Sequence, residues 1–287
     1  MTDTSSAPTP SAADPGVDDL IRWSVDGGIG RLTIDAPDKG NSLTAAMRDR
    51  LADRFLEASE DLRVRVVVLR GAGDRHFCTG AALGGAQRPA PPKPEGAPDR
   101  GPGDVARMIR TGWQRLIASI LDCEKPVIGA VNGTAAGGGA QLALACDLVV
   151  MADSAKLIEV FVRRGIMPDA GGCYLLPRII GLHRAKELMF LGEDCPAAEA
   201  ERIGLVNRVV PAATLNESVD ELATKFLTLP TRAIALTKRL ANRSFESSRE
   251  QSFSDEADYQ ELVSGSADMA EGMNAFRERR TPEFKGW

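Results

Sequence analysis

The segment VRVVVLRG, residues 64–71, sets the tightest limit on what this chain can become. It is apolar in both phases of a strand, so a strand built from it needs cover on both faces. PVIGAVNG (126–133) and DLVVMA (147–152) repeat the pattern. Strands of this kind belong to sheets whose crossover connections lay helices against them. The intervening chain supplies the helices. Met47, Leu51, Phe55 and Ala58 recur at helical spacing within 44–59. DVARMIRTGWQRLIASILD (104–122) is helical, and a further helix is expected over about 138–146. LIRWSV (20–25) and IGRLTID (29–35) flank a DGG turn and form a predicted hairpin. LVNRVVP (205–211) is the last expected strand, and from about 212 the chain is helical. The expected class is α/β, with a C-terminal helical layer that covers the core or joins subunits.

Two segments fall outside this pattern. Residues 1–17 are rich in Ser, Ala, Pro and Asp and cannot bury enough apolar surface to offset ordering, which predicts a disordered tail. Residues 84–103, GGAQRPAPPKPEGAPDRGPG, are dominated by Pro and Gly. They lie between two core-like stretches, so they are expected to be a mobile insertion within one domain.

Charge and composition narrow the function. A net charge of −5 and a pI near 5.3 argue against a general nucleic-acid partner. No run reaches the ~18–20 apolar residues of a membrane span, and the N-terminus has neither a basic nor an apolar signal region. Five cysteines without a CxxC pair read as reduced thiols of a cytoplasmic protein. Two histidines and no cysteine pair argue against a metal site.

The chemistry is concentrated in NGTAAGGGAQLALACDL (132–148). Three glycines lead into a helix whose first N–H groups lack internal partners, which suits either an anion site or a tight strand-to-helix turn. A Walker loop is excluded because Ala140-Gln141 stands where Gly-Lys-Ser/Thr is needed. A dinucleotide fingerprint is excluded because RGAGDRHF carries only Gly71 and Gly73.

FCTGAAL (77–83), KPVIGAVNGTAAGGGAQLALACDL (125–148), GIMPDAGGCYLLPRIIG (165–181), AAEAERIGLVNRVVP (197–211) and EGMNAFRERRTPEFKG (271–286) occur in that order. Together they resemble the crotonase, or enoyl-CoA hydratase/isomerase, superfamily, from about residue 20 to the C-terminus. The resemblance implies a crotonase (ClpP-like) fold of repeated ββα units. Its core would span 18–211, and 212–287 would be a helical trimerisation region. It also implies a homotrimer or a dimer of trimers. The substrate would be an acyl-CoA thioester, with no separate cofactor.

The resemblance further implies an oxyanion hole for the thioester enolate, made by the backbone N–H groups of Ala81 and Gly138. Family hydratases place two glutamates in the pocket. Those positions fall on Gln141 and Phe161, neither of which can act as a general acid or base near neutral pH. Glu159 lies two residues before Phe161, on the same side of an expected strand. It is either a pocket acid or a solvated or structural carboxylate. Asp169 occupies the position where family isomerases place their working acid, and it is either that acid or a cap for the helix expected at Gly171–Ile180. Lys39, Arg75, Ala81, Leu83, Phe276 and Arg279 match CoA-contacting positions, the last two often serving a neighbouring subunit. Ala82 stands where the family usually has Asp. His76 and His183 are not assigned to catalysis.

These positions favour enoyl-CoA isomerisation or a related proton transfer by Asp169. The alternatives are a hydratase in which Glu159 or Asp169 activates water, and an acyl-CoA-binding protein that has lost catalysis.

Overall fold

In the computed structural model the described residues are 16–82, 92–98, 101 and 103–287. Leu83, all but the last two residues of the expected tail, and most of the expected insertion lie outside them. A short helix, Val17–Leu20, begins where the tail was expected to end.

Among the described residues ten strands form two sheets. β1 (Ile21–Asp26) and β2 (Ile29–Ile34) pair antiparallel as the expected hairpin. β3 (Val66–Gly71), β5 (Val127–Val131), β7 (Leu148–Ala152) and β10 (Arg208–Val210) extend the sheet in parallel, in the order β1-β2-β3-β5-β7-β10. The second sheet runs β4-β6-β8-β9, from His76–Cys78, Thr134–Ala136, Lys156–Ile158 and Asp194–Pro196. Successive strands alternate between sheets: β3 leads to β4, β5 to β6, and β7 to β8. Helices Gly138–Leu144 and Gly172–Ile180 follow β6 and β8. This is the repeated ββα arrangement. The four short strands were not legible in the sequence, because three residues carry too little periodicity to register.

The apolar runs do what their composition requires. Val66, Val67, Val68 and Leu69 of β3 are all buried, as is every residue of β5. Helix Ala45–Glu60 covers one side and buries Met47, Leu51, Phe55 and Ala58, the positions the spacing predicts. Thr44 caps it by accepting a hydrogen bond from Met47 N at 3.3 Å. Helix Leu215–Leu227 places Leu215, Val219, Leu222 and Ala223 in the core. The chain after 212 therefore begins as part of the core and only later becomes a separate layer. Helices Thr231–Arg243, Arg249–Ser264 and Ala267–Glu278 bury little, and Phe245, Phe253, Leu262 and Phe276 are exposed on or beside them. No helix of the described residues is long and apolar enough to cross a membrane.

The region 104–122 is helical as expected, but it is interrupted. A π turn, Arg110–Gln114, separates helix Asp104–Ile109 from helix Arg115–Leu121.

Candidate active site

Strand β4 and the glycine run bring the two expected donors onto adjoining backbone. Leu43 and Ala81 form an isolated parallel bridge in which Leu43 N donates to Gly80 O at 2.8 Å and Ala82 N donates to Leu43 O at 3.0 Å. The N–H of Ala81 itself takes no part and has no backbone acceptor among the described residues. A Cβ placed on Gly80 would lie 3.3 Å from Gly138 N, so this turn abuts the start of helix Gly138–Leu144. Gly138 N also has no backbone acceptor among the described residues, as expected in a first helical turn.

Each glycine of the run has its own steric reason. Gly137 sits at φ 55°, ψ −124°, which an L side chain rarely adopts, and its N–H is tied to Ile158 O at 2.9 Å. A Cβ on Gly138 would meet the Trp113 indole at 2.6–2.8 Å, and one on Gly139 would lie 1.9 Å from the carbonyl oxygen of Cys78. The run thus lets the helix start lie directly on β4, with the indole across Gly138.

Two buried asparagines hold the segment leading to Ala81. Asn41, at φ 53°, accepts from Ala36 N at 3.0 Å and donates to Ala72 O at 3.0 Å and His76 O at 2.7 Å. Asn132 accepts from Gly71 N at 3.1 Å and donates to Gly73 O at 2.9 Å. Both brace the turn between β3 and β4. Sequence reasoning assigned neither residue a role, because their partners are backbone groups distant in sequence.

Asp169 is half-buried in the loop before helix Gly172–Ile180. It does not cap that helix. Gly171 is the N-cap and no side chain closes it, which removes the capping alternative. Burial raises the carboxyl of Asp169 above its ordinary range, against the opposing pull of its own backbone N–H and of Arg48.

The strand-phase expectation for Glu159 and Phe161 is not met. β8 ends at Ile158, and Phe161 lies in a 3-10 turn, Val160–Arg164, so the two side chains are not related by strand alternation. Phe161 is buried near Gly137. Glu159 is only 4% exposed, which excludes a solvated carboxylate. Gln141, fully buried, donates from Nε2 to Glu159 Oε1 at 2.6 Å. Burial pushes the Glu159 carboxyl up to about 7, with the Gln141 bond opposing. A Cβ on Gly172 would lie 2.9 Å from Gln141 Nε2 and 3.0 Å from Pro168 Cβ, so the pair lies under the Asp169 loop.

Two residues enter that the sequence reading did not single out. Trp113 reaches Gly138 because the π turn carries it there, and a π turn leaves no signature in residue type. Arg48 places its guanidinium carbon 5.7 Å from the Trp113 ring centroid and against Gly112, whose Cβ, if present, would lie 2.9 Å from it.

The CoA-contacting expectations divide. Lys39 and Arg75 are exposed. Lys39 precedes Gly40, whose carbonyl accepts from Thr79 N at 3.1 Å, so it stands beside the segment that leads from β4 to Ala81. Phe276 is 81% exposed. Its helix is anchored by Asp268, which accepts from Lys285 N and Gly286 N at 2.6 and 2.8 Å. Gly286 lies against Arg65, at the end of β3 remote from Gly71. Among the described residues no hydrogen bond or ion pair joins Phe276 or Arg279 to the oxyanion donors of the same chain.

A groove of about 630 Å³ lies between helices Gly172–Ile180 and Thr231–Arg243, lined in part by Tyr174, Arg178 and Phe245. It does not include Ala81, Gly138 or Asp169. No group of three or more metal-binding side chains occurs among the described residues.

Residues 24–287 match the family model described as enoyl-CoA hydratase/isomerase. The 1,2-epoxyphenylacetyl-CoA isomerase of Escherichia coli K12 is 36% identical over 93% of this chain and 99% of its own length. The carnitinyl-CoA dehydratase of Escherichia coli O157:H7 is 36% identical over 91% and 96%. The crystal structure of an enoyl-CoA hydratase from Bacillus anthracis superposes with a TM-score of 0.82 at 32% identity, covering 93% of this chain and all of that one. The chain belongs to the enoyl-CoA hydratase/isomerase family.

Proposed function

We propose that the protein isomerises an enoyl-CoA, or carries out a related proton transfer alpha to a thioester carbonyl, with Asp169 as acid and base. The observation that carries this reading is Asp169 itself. It is a half-buried carboxylate with no capping task and a raised pKa, in the loop packed on the helix that begins at Gly138.

In the forward step the Asp169 carboxylate takes a proton from C2 of a 3-enoyl thioester. The C–H electron pair moves into a dienolate whose charge rests on the thioester oxygen. Ala81 N–H and Gly138 N–H receive that oxygen, and because they are fixed before the charge forms, each is worth about 3 kcal/mol of barrier. Asp169 then returns the proton to C4, giving the 2-enoyl thioester at unchanged mass. Burial raises the basicity of Asp169 and suits it to both halves of the exchange. Phe161 and the Trp113 indole keep the site apolar. No cofactor beyond the CoA thioester enters. Lys39 and Arg75 would meet the CoA phosphates. Phe276 and Arg279 would serve a neighbouring subunit of a trimer or dimer of trimers, in line with their exposure. The relatives named isomerase, hydratase and dehydratase support chemistry on a CoA thioester.

Hydration is the second reading, favoured by Glu159. Its carboxyl stands near 7 at neutral pH, in contact with Gln141. It could activate water if the pocket opened to it.

The test incubates the purified protein with a 3-enoyl-CoA and, separately, a 2-enoyl-CoA, followed by mass and ultraviolet absorbance. Isomerisation at constant mass, slowed about 10²–10⁴-fold by Asp169→Asn, supports the first reading. A mass gain of one water from the 2-enoyl thioester, lost in Glu159→Gln and kept in Asp169→Asn, replaces it with the second. Binding of both thioesters without conversion identifies a non-catalytic binder.

A further inference from the structure

Among the described residues Arg48 is a cation beside the site that the chemistry above leaves unused. It projects from helix Ala45–Glu60 toward the π turn, where its guanidinium rests against Gly112 and stacks over Trp113. A methyl group on residue 112 would occupy the guanidinium's place. The turn also carries Trp113, whose six-membered ring lies against Gly138. A single turn of backbone therefore connects the Arg48 head group to the oxyanion donor through one indole.

The head group is half-buried and unspent. Its Nε is buried without a hydrogen-bond partner, and among the described residues Arg48 donates no hydrogen bond and forms no ion pair. Asp49 and Asp169 act on it electrostatically without bonding to it. This contrasts with Arg50 and Arg54 on the same helix, both of which bond to Asp18 and Glu57. The Arg48 Nε is a donor withdrawn from water without a partner, the rest of the fork is open to solvent, and a planar carboxylate is the group whose geometry matches such a fork. Asp169 is near enough to act on Arg48 electrostatically but makes no hydrogen bond or ion pair with it among the described residues.

We propose that Arg48 binds a carboxylate carried on the acyl group of the substrate, so that this enzyme acts on thioesters of short dicarboxylic acids in preference to plain fatty acyl-CoAs. This rests on the reading that the site takes acyl-CoA thioesters. The CoA end would sit beyond Ala81. The acyl chain would run past the Trp113 indole, and its far carboxylate would meet the Arg48 fork. The indole fixes the guanidinium by cation–π contact and keeps the intervening methylenes dry.

The experiment measures binding of two saturated thioesters, adipoyl-CoA and hexanoyl-CoA, which differ in the terminal carboxylate and do not turn over by isomerisation. Wild type should bind adipoyl-CoA tighter by about 10–100-fold, the value of one charge-assisted bidentate contact. The preference should shrink as salt is raised. Arg48→Met should lose about that factor on adipoyl-CoA and less than about threefold on hexanoyl-CoA. Arg48→Lys, which keeps charge without the fork, should retain part of the preference.

Equal binding of the two thioesters by wild type overturns the proposal, whatever the variants do. An equal loss on both in Arg48→Met also overturns it, and makes Arg48 a support for Asp169 or Trp113. If hexanoyl-CoA binds and adipoyl-CoA is not preferred, the acyl-thioester reading stands and only the carboxylate falls. If neither binds, both readings fall together.

Discussion

Gln141 Nε2 donates to Glu159 Oε1 at 2.6 Å, and the remaining oxygen of each partner, Gln141 Oε1 and Glu159 Oε2, is buried without a hydrogen-bond partner among the described residues. An ionised carboxylate in this place would carry a charge with one neutral donor to stabilise it. Protonation removes the charge and supplies a donor on Glu159. This is why burial outweighs the amide bond and holds the group near 7.

A pH dependence of stability follows. The native carboxyl titrates near 7 against an ordinary value of 4.5. Below pH 4.5 both native and unfolded chains hold the proton, and the stabilisation is complete. Between pH 4.5 and 7 the unfolded chain releases it first, so stability falls as pH rises, by up to about 3 kcal/mol. Urea midpoints at pH 5 and pH 8 should differ in wild type, and Glu159→Gln should remove most of that difference. An unchanged pH slope in the variant would mean that Glu159 is ionised in the native protein.

Gly138 and Gly139 should respond differently to alanine. At Gly139 the new methyl meets a fixed carbonyl, Cys78 O, at 1.9 Å. Gly139→Ala should therefore separate the helix from β4 and cost several kcal/mol, visible as a large fall in Tm. At Gly138 the obstacle is the Trp113 ring, a side chain that can turn aside. Gly138→Ala should be folded, with a smaller Tm change and a disproportionate loss of kcat. Equal Tm losses in both would contradict this division.

Asn41 holds three backbone groups while occupying a left-handed conformation that Asn tolerates better than most residues. Asn41→Ala should cost about 2–4 kcal/mol, because Ala36 N, Ala72 O and His76 O lose their partner. Since the His76 turn leads to Ala81, kcat should fall more than KM rises. A variant that loses stability but keeps kcat would confine Asn41 to a structural role.

Lys238 fastens the C-terminal layer to the core. Its Nζ donates to Asp147 Oδ2 and Ile120 O, both at 2.8 Å, and the same Asp147 oxygen accepts from Val127 N at 2.7 Å. Burial raises the Asp147 carboxyl against the pull of Lys238. Lys238→Met leaves that carboxylate unpaired and should cost about 3–5 kcal/mol in urea unfolding. Replacing Asp147 by Asn in the same chain should recover part of the loss by removing the unpaired charge.

The sequence by itself determined the sheet, the helices that cover it and the family. VRVVVLRG, PVIGAVNG and DLVVMA are apolar on both faces, and only a parallel sheet between helices satisfies such runs. The glycine run was legible for a related reason. Three consecutive glycines are costly in a chain, and steric constraint keeps their pattern local and visible. What tertiary structure decided were relations between residues far apart in number. The pairing of Gln141 with Glu159, the release of Asp169 from a capping task by Gly171, the indole across Gly138 and the unspent Arg48 fork all depend on how separate elements meet. A side chain's burial and partners are set by neighbours that periodicity cannot name, and a π turn moves Trp113 by a shift that residue type does not record. The sequence identified the residues able to carry charge, and the packing decided which of them are buried and what they meet.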